Sequence, residues 1–164
     1  MSASPTSGAV FVVCEDGREY TERFVRLFAG FRFVRTASFG ETLAATRAGA
    51  AGLLLDLDFR RTDPEALVDE AGATKPGRAE DERRRLCAVQ GILILRALRA
   101  AGATLPALLF ADLDDPAQVK LLATTLAPLT VVPSTAALPE VTRALAAMAR
   151  QAAETAANSS SDRG

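Results

Sequence analysis

The sequence predicts an α/β domain built on an open parallel sheet with helices on both faces, and three observations predict it. Five short apolar runs of strand length alternate with helical patterns. The runs are mostly unalternating, as expected of parallel strands covered on both faces. The 164 residues are 49% hydrophobic, enough for one domain with its own core and too few for two comfortable ones.

The strands are expected at 10–14, 31–37, 52–57, 105–110 and 129–132. After the first, Tyr20, Phe24, Leu27 and Phe28 recur at i, i+4, i+7 and i+8, with Gly30 as a stop. Ser38 with Glu41 three residues on reads as a capping box for a helix to about Ala48. The third helix is ambiguous, because Gly91-Ile92-Leu93-Ile94-Leu95 also suits a strand by periodicity. Good helix formers on either side, closed by Gly102, favour a helix. Asp115 and Pro116 supply an N-cap and a first-turn proline for a helix carrying Val119, Leu122 and Leu126. The last helix starts near Pro139, with Val141, Leu145 and Met148 on one face. The segments 1–7 and 158–164 are polar and read as disordered, which leaves a domain over 8–157. Five β-α units joined by right-handed crossovers give a doubly wound sheet.

One segment breaks the rhythm. Residues 59–85 carry seven positive and seven negative side chains, with Pro64, Gly72, Pro76 and Gly77. This is read as a charged insertion loop after the third strand, with at most a short helical turn in 65–70, little to bury and no part in folding.

Composition excludes several functions. With 19 basic against 20 acidic residues, the chain has no field to gather nucleic acid or an anionic membrane. There is no histidine, which removes histidine triads and the usual zinc sites. The N-terminus lacks the regions of a signal peptide and no apolar run spans a bilayer, so the expected location is cytoplasmic, without membrane insertion. Cys14 and Cys87 fit reduced core thiols.

Acids gather at the carboxyl ends of the strands, where such sheets place their crevice. They are Glu15 and Asp16, then Asp56 and Asp58, then Asp112, Asp114 and Asp115. Clustered carboxylates of this kind suit magnesium. The loop after the first strand has one glycine and two acids, which disfavours a small nucleotide- or flavin-binding protein.

Phe11-Val12-Val13-Cys14-Glu15-Asp16, Gly52-Leu53-Leu54-Leu55-Asp56-Leu57, the run Gly91 to Arg99, and Leu105-Pro106-Ala107-Leu108-Leu109-Phe110 together resemble successive landmarks of response-regulator receiver domains. The resemblance spans nearly the whole chain and implies a flavodoxin-like sheet of order 2-1-3-4-5. It implies Asp56 as phospho-acceptor from a histidine kinase and Glu15, Asp16 and Asp56 as weak magnesium ligands, with no cofactor strictly required. Two family positions depart from the pattern. Ala111 replaces the hydroxyl residue closing the fourth strand, and Val132 stands before Pro133 in place of a lysine. Neither can bond or neutralise a phosphoryl group. Arg60, Arg61 or Lys75 from the insertion are candidate substitutes.

The sequence therefore points to a degenerate, stand-alone pseudo-receiver in bacterial two-component signalling. It is expected to be non-enzymatic and to act through protein-protein contact. The alternative is an unorthodox receiver phosphorylated on Asp56. The expected partner is another signalling protein, with a homodimer also allowed, through Gln118, Leu121, Arg143 and Ala147 on the last two helices.

Overall fold

The computed structural model describes residues 8–161. Five parallel strands, β1 (Val10–Cys14), β2 (Arg32–Thr36), β3 (Gly52–Asp56), β4 (Ala107–Phe110) and β5 (Leu129–Val132), stand in the order β2-β1-β3-β4-β5. This is the order the resemblance implied. Six helices complete the fold: α1 (Glu19–Leu27), α2 (Phe39–Arg47), α3 (Glu80–Ala88), α4 (Gln90–Ala100), α5 (Pro116–Thr125) and α6 (Leu138–Ser161).

Because side chains alternate across a strand, the central strands divide their residues between two cores. Phe11, Val13, Leu54, Leu108 and Phe110 face α1 and α6, where they meet Phe24, Phe28, Val141, Leu145 and Met148. Val12, Cys14, Leu53, Leu55 and Leu109 face the other way, toward Leu86, Ile94, Leu98, Leu122 and Leu126. The first core is aromatic, with the Phe24 ring 5.6 Å from that of Phe110 and 5.7 Å from that of Phe33. The second is mostly aliphatic.

The caps follow the sequence. The Ser38 side chain accepts from the Glu41 N–H at 3.3 Å, while the Glu41 carboxylate reaches back to the Ala37 N–H at 2.7 Å. Asp115 caps α5 through the Ala117 N–H at 2.9 Å. At the C-terminus α6 continues through Ser161, past the tail expected from 158. The expected disordered segment 1–7 and the last three residues of that tail lie outside the described residues.

The third helix is two helices. At Val89 the backbone leaves helical geometry (φ −130°, ψ 16°) and ends α3. The exit of β3 fills the break: the Phe59 N–H donates to the Cys87 carbonyl at 2.9 Å, and the Gly91 N–H donates to the Leu57 carbonyl at 3.1 Å. The approach is so close that a Cβ on Gly91 would lie 1.9 Å from the Asp56 carbonyl oxygen. Glycine is needed there for space.

The insertion is not the loose loop its composition suggested. Phe59, Leu67 and Val68 are fully buried in the aliphatic core. The buried Gln90 amide accepts from the Val68 N–H at 2.9 Å and donates to the Val68 carbonyl at 3.0 Å, as a neighbouring strand would. The Arg78 side chain, only 1% exposed, donates to the Leu67 carbonyl at 2.8 Å and the Ala73 carbonyl at 3.1 Å. It also pairs with Asp69 at 3.1 Å and Glu82 at 3.2 Å, so its charge is buried with every side of the guanidinium occupied. The short turn expected in 65–70 is a 3₁₀ turn at Pro64–Ala66, and the end of the segment is α3. The expectation that residues 59–85 have little to bury is thus overturned. Single apolar anchors and two buried polar side chains do what an apolar stripe would have done.

Leu67→Ala should cost about 2–5 kcal/mol in urea denaturation, the range for truncating a buried leucine. Gly91→Ala should cost about 1–3 kcal/mol through overpacking against the β3 exit. Replacing 62–79 by a short Gly/Ser linker should likewise lower the unfolding midpoint.

Candidate functional site

The crevice forms where β1, β3 and β4 end side by side. Asp56, the last residue of β3, pairs in register with Phe110, and Glu15 follows directly after β1. Asp56 is half-buried, and its Oδ1 accepts from the Leu57 N–H at 2.8 Å. Burial, reinforced by the charges of Asp16, Glu15 and Asp58, pushes its carboxyl up to about 6.

Glu15 does not face Asp56 as a free ligand. Its Oε2 accepts from the Tyr20 N–H at 3.0 Å, and its Oε1 accepts from the Thr21 N–H at 2.8 Å and the Thr21 hydroxyl at 2.7 Å. The carboxylate is buried against the N-terminus of α1, where the free amides and helix dipole favour a negative charge. Asp16 is occupied as well. Its Oδ2 accepts from the Arg61 N–H at 2.7 Å, and its Oδ1 from the Arg61 guanidinium at 3.1 Å.

Magnesium requires several oxygen ligands in near-octahedral order. The three acids expected to supply them come to one end of the sheet but not into one donor set. Among the described residues, no group of three or more Asp, Glu, Cys or His is placed to share an ion. The residues present therefore do not fit the metal that the resemblance implies.

The two departures from the family pattern lie on the β4 side of Asp56, at the end of β4 and on β5. Ala111 is buried, its N–H donating to the Val132 carbonyl at 2.9 Å, and Val132 is buried in the aromatic core. A cleft of about 390 Å³ opens beside them, lined by Asp112, Leu113, Asp114, Val119, Val131 and Pro133. The Ser134 N–H and hydroxyl both donate to Asp112, which ties the β4 exit to the β5 exit and holds the Asp112 carboxyl below its usual range.

Of the three candidate basic residues in the insertion, Arg61 reaches the crevice. Arg60 pairs with Asp58 at 2.7 Å, and Lys75 is exposed. The sequence patterns gave no special weight to two other residues of the site. Arg35 on β2 donates through its guanidinium to the carbonyls of Glu15, Asp16 and Gly17, which fixes the loop after β1. Tyr20, read only as an apolar helix position, packs its ring tilted against Phe110, with ring centres 4.9 Å apart. Burial and the nearby charges of Asp56 and Asp112 push its phenol up to about 12. Nothing in local spacing marks either role, because both depend on elements distant in sequence.

Gln118, Leu121, Arg143 and Ala147 are all exposed, Leu121 to 66%. They lie on α5 and α6, which pack on opposite faces of the sheet, so a surface joining them runs over the β5 edge. Cys14 and Cys87 are free thiols, and burial pushes Cys14 up to about 11. Among the described residues, no helix is long and apolar enough to cross a membrane.

No family model matches the chain, and no curated protein matches it significantly. Solved structures do. The receiver domain of the Francisella response regulator 1452 superposes with a TM-score of 0.61 at 11% identity, covering 88% of this chain and 98% of that one. The fold is that of a response-regulator receiver. The BeF3-activated receiver domain of Klebsiella pneumoniae RstA gives 0.56 at 18% identity, covering 86% and 98%. A chain named as an adenylate cyclase from Rhodopirellula baltica gives 0.62 at 11% identity, covering 95% and 98%. The receiver fold here differs from a plain doubly wound sheet in its anchored insertion after β3.

The raised carboxyl of Asp56 has a consequence for stability. The folded state holds this proton more tightly than the unfolded chain, so ionising Asp56 opposes folding, and the penalty grows as pH rises from about 4 to 6. Asp56→Asn should therefore stabilise the protein at pH 7–8, by about 1 kcal/mol after allowing for solvent screening, and not at pH 4. Denaturant midpoints of both proteins at the two pH values check this.

Proposed function

We propose that the chain is a pseudo-receiver: a signalling module that keeps the receiver fold, carries no phosphoryl switch and works by binding another protein. The observation that carries this reading is the pair Ala111 and Val132. Both are buried apolar side chains, one at the end of β4 and one on β5, at the positions where a switching receiver needs a hydroxyl and an ammonium. A phosphoryl group on Asp56 would add negative charge to a carboxyl already raised by burial and by neighbouring acids, and the end of β5 offers Val132 rather than a lysine.

The module is read as non-enzymatic and bacterial, and as working in the cytoplasm. The likeness to a chain named as an adenylate cyclase is a likeness of fold at 11% identity and brings no activity with it. We assign partner contact to the β5 edge around Leu121, with Gln118, Arg143 and Ala147, where another signalling protein or a second copy of the chain would dock.

Incubation with acetyl phosphate and magnesium, followed by intact-mass analysis, should give no stable phosphorylated species. Substantial, long-lived phosphorylation that disappears in Asp56→Ala would instead establish the unorthodox phospho-acceptor. For the assigned contact face, Leu121→Arg should leave thermal melting unchanged while removing self-association or partner capture. Retention of both would move the contact elsewhere.

A further inference from the structure

Arg61 holds the loop after β1 from above. One residue takes both oxygens of Asp16, the backbone N–H at 2.7 Å and the guanidinium at 3.1 Å, although the Asp16 side chain is only 4% exposed. The same guanidinium bonds Glu19 at 2.6 and 3.0 Å. The loop passes directly beneath this contact. A Cβ on Gly17 would lie 2.0 Å from the Glu19 carboxylate and 2.3 Å from the Arg61 guanidinium, so the pair closes over a residue without a side chain. Arg35 fixes the same loop through its three carbonyls. Arg61 itself follows two residues after Phe59, which is fully buried and bonded to Cys87. Its position is therefore inherited from the core.

We propose that Arg61 is a built-in cation that takes the place of the divalent metal in this receiver fold, neutralising Asp16 from within the chain and making the crevice insensitive to magnesium. A hydrated magnesium ion approaching Asp16 would have to break two hydrogen bonds and sit beside a fixed positive charge. The other acid of the loop, Glu15, is committed to α1 and offers no free oxygen in compensation. This inference rests on the receiver fold, but not on whether Asp56 accepts phosphate.

The protein carries its own probe. Its single tyrosine is Tyr20, beside the crevice, and it has no tryptophan, so tyrosine-sensitised terbium luminescence reports a trivalent ion bound there. Arg61→Ala and Arg61→Gln should bind terbium at a concentration at least tenfold lower than the wild type, and magnesium should compete it off. Both variants should also gain a magnesium-dependent rise in melting temperature that the wild type lacks. Arg61→Gln keeps the stem and removes the charge, so it separates neutralisation from packing. Adding Asp16→Asn to either variant should abolish the gain. Equal terbium midpoints in wild type and variants, at any affinity, would overturn the proposal. So would a gain that survives Asp16→Asn, since the ion would then lie elsewhere. No phosphodonor enters these measurements, so phosphorylation of Asp56 in the wild type would overturn the pseudo-receiver reading alone.

Discussion

The contact between the β3 exit and the break at Val89 governs how the rest of this molecule is arranged. Two hydrogen bonds and one missing side chain make it: Phe59 to Cys87, Gly91 to Leu57, and no Cβ at Gly91. The break ends α3, starts α4 and presents amides and carbonyls that the exiting chain satisfies. From that point Phe59 is committed to the core, and the backbone that follows passes over the crevice. Asp56 on one side and Arg61 on the other thus take their places from the same few bonds. A receiver fold with an ordinary short loop after β3 would have no reason to break the helix here.

The crevice is then an electrostatic arrangement in which most charged groups have a partner. Glu15 faces the α1 amides, Asp16 and Glu19 face Arg61, Arg35 faces three carbonyls, and Asp112 faces Ser134. Asp56 accepts from one backbone amide and pairs with no cation among the described residues, and its carboxyl rises. The contrast with Glu19 is physical. Arg61 holds that exposed carboxyl down to about 2, whereas burial among like charges dominates at Asp56.

The sheet and its helices were legible in the sequence because they rest on local signals. Apolar runs, the Ser38 cap, and the Asp115-Pro116 start each act within a few residues, and observed bounds differ from expected ones mainly at strand ends. The crevice was legible as a position, since acids at strand ends are visible in any α/β sequence. Their orientations were not. Glu15 caps amides five and six residues ahead, outside the short spacing of a capping box, and Arg61 meets Asp16 across 45 positions. The insertion was misjudged for the same reason. Composition measures how much apolar surface a segment has, but Leu67 and Val68 are buried because Gln90 and Arg78 satisfy the backbone around them.

A signalling module changes its partners only through states that differ in energy, and a ligand shifts those states only by its differential affinity for them. In this crevice the groups that would sense a phosphoryl charge are apolar and packed, and the carboxylate that would hold a metal is already neutralised by a residue anchored in the core. The exits of β4 and β5 are tied to each other by Asp112 and Ser134. On the pseudo-receiver reading, a site with most of its charges paired across three loops would resist the small electrostatic perturbations that drive an ordinary receiver. Information would then be carried by occupancy, through what is bound to the surface, rather than by a change of shape. On that reading the insertion would act twice, by occupying the acids of the crevice and by adding new surface next to it.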